Sequence, residues 1–256
     1  MPEIDFFQLT DVGCVRTGNE DAVGYWPHED GIVFAVADGL GGHNAGEVAS
    51  SLALEALAHE IERAPGNWSM TKRLRRAIQE ANLAIYNKGV TVPELHRMGT
   101  TLTVAALVAG NLTAAHVGDC RLYLWRNGTL AQLTKDHTWV WEQVQYGLLS
   151  PEEARTHPRR HILSRCLGHN LIVSIDTLTL DIQPGDVLVQ CSDGIHALLP
   201  ESEIVAALQG SAPEAACQAL IERGRAAGGD DNLSIQIAAV LNCPPSNARR
   251  WWQFGR

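Results

Sequence analysis

The chain has 256 residues, of which 45% are apolar and 19% charged, and its formal net charge is −9. This length suits one large domain or two small ones with a packed core. The acidic balance argues against general binding to nucleic acids or to anionic membranes, because both need basic protein surfaces.

The N-terminus and the cysteines indicate a cytoplasmic protein. The first residues, MPEIDFFQLTDVG, lack the basic and apolar regions of a signal peptide. No apolar run reaches about 18 residues, so we expect no membrane span. The six cysteines form no CxxC pair, which disfavours zinc fingers and disulfide frameworks.

Short runs rich in Val, Ile, Leu and Thr, bounded by Gly, Asn or Asp, predict most of the strands. The tripeptide RNG at 126–128 separates two of these runs and predicts a hairpin turn. The predicted strands cover residues 32–37, 101–108, 112–117, 121–125, 171–180, 187–190 and 233–241.

Helical patterns flank this block of strands. Apolar residues three to four apart predict one helix through 48–61 and another from residue 74. Prolines before 201–208 and 215–225 are typical of helix starts. Strands placed between two helical blocks predict antiparallel sheets with helices packed outside them.

We expect a single domain over residues 1–242. Residues 139–165 are polar and rich in Arg and His, and we interpret them as a surface excursion. His137 is expected to fix the start of that excursion by hydrogen bonding. The tail at 243–256 opens with two prolines, and its Trp251 and Trp252 are expected to pack on the body or on a partner.

Five aspartates share one local pattern, since each borders an apolar run beside Gly or Asn. Burying several carboxylates together costs several kcal/mol each unless cations neutralise them. Carboxylate oxygens favour Mg²⁺ or Mn²⁺ over zinc. A glycine after an aspartate lets the backbone carbonyl approach an ion. The five are Asp21, Asp38, Asp119, Asp193 and Asp231.

Seven motifs resemble one family in content and order. They are RTGNED, VADGLGGHNAGEVAS, MGTTLTVAAL, AHVGDCRLYL, LTKDH, QCSDGIHALL and GGDDNLSI. Together they resemble the PP2C-type (PPM) metal-dependent protein serine/threonine phosphatases, in particular the compact bacterial members, over residues 8–241. The resemblance implies an α+β fold, a four-layer α/β/β/α sandwich with two central antiparallel sheets flanked by helices.

The resemblance also implies two Mn²⁺ or Mg²⁺ ions, with a third in many bacterial members. Asp38 would bridge two ions, and the Gly39 carbonyl would contact the second. Asp193 and Asp231 would complete the ligands of the first. Asp119, with Asp193, would hold the third.

Three further roles come from the same resemblance. Glu20 and Asp21 would hold waters of the ions, Arg16 would bind the substrate phosphate, and Asn232 would steady the loop of Asp231. The planar guanidinium of Arg16 suits bidentate contact with phosphate oxygens.

The chain departs from the animal members of the family after DG. In the animal members, the residue after DG is a histidine that is proposed as the general acid, whereas in this chain it is Leu40. His43 cannot take the role by alignment. A water on the third ion or a flap histidine is left as the source of the leaving group's proton.

Residues 139–165 correspond to the family's variable flap beside the metal site. Its basic residues, which include Arg159, Arg160 and His161, would attract a phosphopeptide. A solvated loop without function is the alternative interpretation.

The expected reaction is hydrolysis of phosphoserine and phosphothreonine in proteins, by a hydroxide that bridges two ions. We expect a cytoplasmic monomer that opposes a bacterial Ser/Thr kinase and binds no nucleic acid. A non-catalytic phosphoprotein-binding domain on the same fold is the alternative. A cysteine nucleophile in a C-x5-R pattern is a weaker one, with candidates at Cys120, Cys217 and Cys243.

Overall fold

In the computed structural model, residues 2–41 and 44–243 are described. His43 and nearly all of the predicted tail, including Trp251 and Trp252, lie outside the described residues, so the expectations for them stay predictions.

The strands form two antiparallel sheets. One sheet has the order β1-β11-β10-β7-β8, and the other has the order β2-β3-β5-β6-β9, with β4 paired to β3. The strands are β1 Glu3–Asp11, β2 Asp21–His28, β3 Gly31–Leu40, β4 Gly99–Thr100, β5 Leu102–Val108, β6 Asn111–Val117, β7 Arg121–Arg126, β8 Thr129–Gln132, β9 Asp176–Asp181, β10 Val187–Cys191 and β11 Leu233–Asn242.

The helices that cover the outer faces of the two sheets are α1 Asn44–Arg63, α2 Met70–Thr91, α5 Asp193–His196, α6 Glu201–Leu208 and α7 Pro213–Ala226. Two shorter helices, α3 Trp139–Gln145 and α4 Pro151–Thr156, lie in the chain between β8 and β9. One apolar core joins α1 and α2 to the β3 sheet, and a second joins α5, α6 and α7 to the β11 sheet. A third core lies between the sheets. The predicted four-layer α/β/β/α sandwich is therefore confirmed.

Strand β3 explains why the sandwich has three cores. Side chains alternate across a strand, so Val33 and Ala35 face the helices, whereas Ile32 and Phe34 face the other sheet. Both faces are buried, and the strand therefore has a continuous apolar sequence.

The predicted hairpin at 126–128 is also confirmed. Asn127 and Gly128 have φ values of 52° and 78°, and they join β7 to β8. Two positive φ values in a two-residue loop match the twist of the flanking strands.

The predicted strand at 171–180 is wrong in its first half, since β9 begins at Asp176. Residues 171–175 run along α2 instead. Gln79 and Asn82 donate side-chain hydrogen bonds to the Leu171 carbonyl, at 3.0 and 3.2 Å, and Arg75 donates to the Ile175 carbonyl at 3.0 Å. Apolar content alone did not distinguish this segment from a strand.

Phe34 is fully buried at the centre of the inter-sheet core. Phe34→Ala should lower the free energy of unfolding by about 3–5 kcal/mol, because it removes transfer energy and leaves a cavity. Urea denaturation gives the value directly. Val90→Ala, at a side chain that is 66% exposed, is the control and should change stability by less than about 0.5 kcal/mol. Equal effects would contradict this account of the core.

Candidate active site

The hairpin of β2 and β3 brings two carboxylates together. Asp21 stands directly opposite Asp38 in the antiparallel register. Asp38 lies four residues after Phe34, so its side chain emerges on the same face, toward the other sheet. Directly opposite residues have Cβ atoms roughly 4.5–5.5 Å apart. The two carboxylates therefore lie side by side at the edge of the inter-sheet layer.

Two serines of the other sheet support Asp21. The Ser192 hydroxyl donates to Asp21 Oδ2 at 2.7 Å, and the Ser234 amide donates to Ser192 Oγ at 3.1 Å. The Ser234 hydroxyl, which bonds Thr10 Oγ1 at 2.8 Å, lies close to the same carboxylate. Sequence reasoning missed both serines, although Ser192 directly precedes Asp193 and Ser234 lies just after Asn232.

Asp193 and Asp231 reach the same place from the other sheet. Asp193 is the first residue of α5, two positions after β10, and Asp231 lies two positions before β11. These strands pair antiparallel, with Cys191 opposite Ile235, so the end of one adjoins the start of the other. The two aspartates therefore lie on neighbouring loops.

Asp119 completes the group of five aspartates. It lies between β6 of one sheet and β7 of the other, at the point where the chain crosses between them. Its carbonyl accepts a hydrogen bond from His196 Nε2 at 3.0 Å. Burial lowers the pKa of His196 to about 4, so its imidazole is neutral and serves packing.

Burial and mutual repulsion dominate the electrostatics of this cluster. Burial raises the pKa of Asp21 to about 7, although the hydroxyls of Ser192 and Ser234 oppose the shift. Burial, with repulsion from neighbouring aspartates, holds the pKa of Asp38 and that of Asp119 well above their usual range. The pKa of Asp193 is raised for the same reasons, with Asp231 as its main neighbour.

The donor set fits divalent cations. Four carboxylates whose charge is disfavoured by burial are stabilised by positive charge, and hard oxygen donors suit Mg²⁺ or Mn²⁺. In the described part of the chain, no three acidic, His or Cys side chains already form a closed ion cage. The carboxylates are near enough to repel one another, and a bound cation would relieve that repulsion.

Backbone contacts fix the end of β3. The Asp38 carbonyl accepts from the Thr101 amide at 2.9 Å and from the Thr100 hydroxyl at 2.8 Å. The Gly39 amide donates to the Glu20 carbonyl at 3.1 Å. A Cβ at Gly39 would collide with the Gly46 and Glu20 carbonyl oxygens. Glycine is thus required here by the close approach of α1, a reason that the sequence did not reveal.

Asn232 ties the N-terminal loop to β11. Its Nδ2 donates to the carbonyls of Val12 and Gly18 at 2.9 and 3.0 Å, and its Oδ1 accepts from the Glu20 amide at 2.8 Å. This loop carries Arg16. The guanidinium Nη2 of Arg16 donates to Asp231 Oδ2 at 2.8 Å, and both side chains remain partly exposed.

The flap contains two short helices, α3 and α4, that the sequence did not predict. Its base closes where the Trp139 amide donates to the Ile162 carbonyl and the Ser164 amide donates to the His137 carbonyl, both at 2.8 Å. His137 Nδ1 accepts from the Gly118 amide at 3.0 Å. The flap base is therefore fastened beside Asp119, and His137 makes the bonds expected of it.

The three basic flap residues have different surroundings. His161 Nδ1 lies 4.0 Å from Asp193 Oδ2. Arg159 instead lies over the ring of Trp139, 5.1 Å from its centroid. Arg160 is exposed, and its amide donates to the His157 carbonyl at 3.1 Å. The structure thus brings His161 to the carboxylates, and it places Arg159 against an aromatic ring.

The sequence profile described as protein phosphatase 2C matches residues 15–238. The chain belongs to the protein phosphatase 2C family. This confirms the family resemblance that the seven motifs carry.

Curated relatives of this phosphatase 2C chain have consistent names. The serine/threonine protein phosphatase PstP of Mycobacterium tuberculosis is 42% identical over 238 residues, which cover 91% of this chain and 44% of PstP. The chain thus spans less than half the length of that relative. The serine/threonine phosphatase stp of Listeria welshimeri is 39% identical over 243 residues, covering 89% of this chain and 92% of that protein.

A solved structure agrees with the fold of this phosphatase 2C chain. The catalytic domain of the serine/threonine protein phosphatase PstP, in complex with two manganese ions, is 36% identical. It superposes with a TM-score of 0.82 and covers 93% of this chain and 99% of that one.

A thiol nucleophile is ruled out at two of the three C-x5-R cysteines of this phosphatase 2C chain. Burial raises the pKa of Cys120 well above its usual range, and it raises the pKa of Cys217 to about 12. Both thiols are fully buried. The rest of the pattern that begins at Cys243 lies outside the described residues.

Asp21 makes stability depend on pH when cations are removed. Its folded pKa of about 7 exceeds its ordinary value of 3.8, so the folded state keeps a proton that the unfolded state has lost. This contribution is complete below pH 3.8 and is lost as the pH rises toward 7. In EDTA, Asp21 should contribute a fall of on the order of 2 kcal/mol in the free energy of unfolding between about pH 5 and pH 8. The other aspartates whose pKa is raised add to this fall.

Asp21→Asn should make the fall smaller than in the wild type by about that amount, as measured by urea denaturation at both pH values. Asp30→Asn is the matched control, since Asp30 is exposed at the far end of the same hairpin. A fall as large in Asp21→Asn as in the wild type would refute the assignment to this carboxylate.

Proposed function

We propose that this chain is a Mn²⁺- or Mg²⁺-dependent phosphatase that hydrolyses phosphoserine and phosphothreonine in proteins. The observation that carries the proposal is the cluster of aspartates, four of which have their pKa raised by burial and by mutual repulsion. Among the described side chains, Arg16 pairs with Asp231, His161 lies beside Asp193, and Arg121, which acts on Asp119, is already paired with Asp136. Membership of the phosphatase 2C family supports it, and the PstP catalytic domain crystallised with two manganese ions provides the precedent for the cations.

The proposed metal ligands follow the positions of the carboxylates. Asp38, opposite Asp21 and close to Asp193, would be shared by two ions, with the Gly39 carbonyl on the second. Asp193 and Asp231 would complete the first site. When bound, the cations supply Lewis acidity that activates a water molecule for attack on phosphorus.

Asp119 stands at the edge of this group. We assign it, with Asp193, to a third cation site. Glu20 and Asp21 would orient the water shell of the ions, with Asp21 held in place by Ser192 and Ser234.

Arg16 is the proposed phosphate ligand. A guanidinium has five N–H donors, and the bond from Arg16 to Asp231 uses the Nη2 group alone. The other donors are available to equatorial phosphate oxygens as negative charge moves during the reaction. Asn232 positions this residue through the loop that it ties to β11.

The proton for the leaving group has no assigned donor. Leu40 has no proton to give at the position where animal members of the family have histidine. His161, 4.0 Å from Asp193, places one flap imidazole at the edge of the cluster. The flap histidine therefore stays a candidate beside water on the third ion.

The alternative is a non-catalytic phosphoprotein-binding domain. Such a domain would not need a cluster of five aspartates, four of them with raised pKa values, since an Arg and backbone amides suffice to bind phosphate. The catalytic interpretation accounts for their unfavourable burial and is favoured for that reason.

Substrates and partners belong to the same proposal. Phosphorylated proteins are the substrate class, and a Ser/Thr kinase would be the opposing enzyme. We propose a cytoplasmic monomer with one domain over residues 1–242. In the described ranges no helix combines the length and apolarity needed to cross a bilayer.

The metal assignment predicts that phosphatase activity depends completely on a divalent cation. Hydrolysis of p-nitrophenyl phosphate should require Mn²⁺ or Mg²⁺ and stop in EDTA, and Asp38→Ala should lower kcat/KM at least about a thousandfold. Asp30→Ala, at the other end of the β2–β3 hairpin, is the matched control and should keep wild-type rates. Activity that persists in EDTA or in Asp38→Ala would refute the metal mechanism. Inactivity with every divalent ion would favour the binding domain.

The flap makes a separate prediction. Arg159→Ala with Arg160→Ala should raise KM for a phosphopeptide about two- to fivefold and leave KM for p-nitrophenyl phosphate unchanged, because the small ester cannot reach these charges. Steady-state kinetics on both substrates measure the difference. Arg63→Ala, outside the flap at the end of α1, is the control. Equal changes on both substrates would remove the flap from substrate binding.

A further inference from the structure

A groove lies on the outer face of the sandwich, between the first turns of α2 and the segment at residues 171–175. Its volume is about 550 Å³. The lining residues come from the start of α2 and from this segment, and they are both basic and apolar. They include Trp68, Lys72, Arg75, Arg76, Ile172 and Val173.

The charges of the groove oppose the local preference of the helix. Lys72, Arg75 and Arg76 are exposed in the first two turns of α2, and the first turn has no acidic residue. A helix N-terminus carries partial positive charge, so cations there are unfavourable and anions are favoured. Among the described residues that line the groove, none is acidic. Residues that disfavour the local structure, as these cations do at a helix N-terminus, are expected at functional sites.

The apolar side of the groove also lacks a structural explanation. Ile172 is 82% exposed, although it belongs to an apolar run long enough to suggest a strand. Trp68 forms the opposite wall, with the Lys72 ammonium 4.0 Å from the centroid of its ring. An exposed large apolar side chain beside an aromatic wall is typical of a contact surface.

The groove is formed in advance of any ligand. Arg75 donates to the Ile175 carbonyl at 3.0 Å, and Gln79 donates to the Leu171 carbonyl at 3.0 Å. Arg76 is partly offset by Glu80, at 2.6 Å on the next turn. The bonds made by Arg75 and Gln79 fix the spacing of the two walls, so a ligand would bind with little loss of conformational entropy in the groove.

We propose that this groove docks an acidic segment of a phosphoprotein substrate that carries one large apolar side chain. The acidic residues would pair with Lys72 and Arg76, and the apolar side chain would lie between Trp68 and Ile172. A long polyanion fits less well, because the rest of the protein is acidic. The proposal rests on the proposed phosphatase function for its biological meaning, and its binding step can be measured without catalysis.

One end of the groove adjoins the flap base. Ile175 lines the groove and precedes Asp176, which pairs with His116 of β6 and has its Oδ2 3.3 Å from His137 Nε2. His137 Nδ1 accepts from the Gly118 amide, next to Asp119. An acidic segment in the groove and a phosphorylated side chain at the carboxylates can therefore belong to one peptide.

Fluorescence anisotropy tests the binding step. The probe is a fluorescein-labelled, unphosphorylated peptide of glutamate and aspartate with one central leucine, added to the full chain. Binding should be in the micromolar range, weaken with salt, and be lost when the acidic residues are replaced by their amides. A single-stranded DNA of similar charge is the second probe, and equal affinity for it would overturn the assignment to a protein segment.

Two kinds of variant locate the site. Lys72→Gln with Arg76→Gln should weaken the peptide at least about fivefold by removing charge, and Ile172→Ser should do so by removing the apolar contact. Lys88→Gln, exposed at the other end of the same helix, is the matched control and should bind as the wild type does. Peptide binding that none of the groove variants weakens, or no binding at all, would overturn the proposal.

Kinetics separate this proposal from the proposed function. A phosphothreonine peptide joined to the acidic segment by a flexible linker should have a higher kcat/KM than the unlinked phosphopeptide, because docking raises its effective concentration. The groove variants should abolish that advantage without changing p-nitrophenyl phosphate turnover. If the enzyme turns over both peptides with no advantage for the linked one, docking is refuted and the catalytic proposal stands. If the chain binds the acidic probe and hydrolyses no phosphoester, the catalytic proposal is refuted and docking stands.

Discussion

Repulsion among buried carboxylates is the constraint on which this structure depends. Asp21 and Asp38 face each other across one strand pair, and Asp193 approaches from the opposite sheet. Their burial is unfavourable without cations, so the surrounding fold must hold them in place. β3 is also paired with β5, so a slip of one residue in the pairing of β2 with β3 would turn Asp21 away from Asp38 and toward the helices. The strand register is therefore needed to keep the two carboxylates together.

The inter-sheet layer becomes more polar toward the site. Its centre is apolar around Phe34. Nearer the carboxylates, Gln190 donates to the Thr103 carbonyl at 2.7 Å and Gln236 donates to the Gly24 carbonyl at 2.9 Å. Each bond joins one sheet to the other. Polar ties of this kind contribute less stability than close apolar packing, and they fix the relative position of the two sheets, which brings their aspartates to one site.

The sequence predicts the fold best where both faces of a strand are buried, as in β3, because the apolar run is then continuous. It missed β1, whose residues are mostly half-buried or exposed and give a weak pattern. It located the aspartates because each breaks an apolar run beside glycine or asparagine. It could not find Ser192, whose bond to Asp21 joins residues 171 positions apart. Nor could it give the direction of Arg159, since charge in a loop does not specify which neighbour it meets.

The ties made by Asn232 have a consequence for synthesis of the chain. This residue holds the loop that carries Arg16, and the bonded groups are more than two hundred positions apart. Residues near both ends of the described domain are thus needed to assemble the side of the site proposed to bind phosphate. During synthesis, the loop of Arg16 can be held in this way only after Asn232 has emerged, just ahead of the last strand. The proposed site is therefore complete only when translation of the domain is nearly finished.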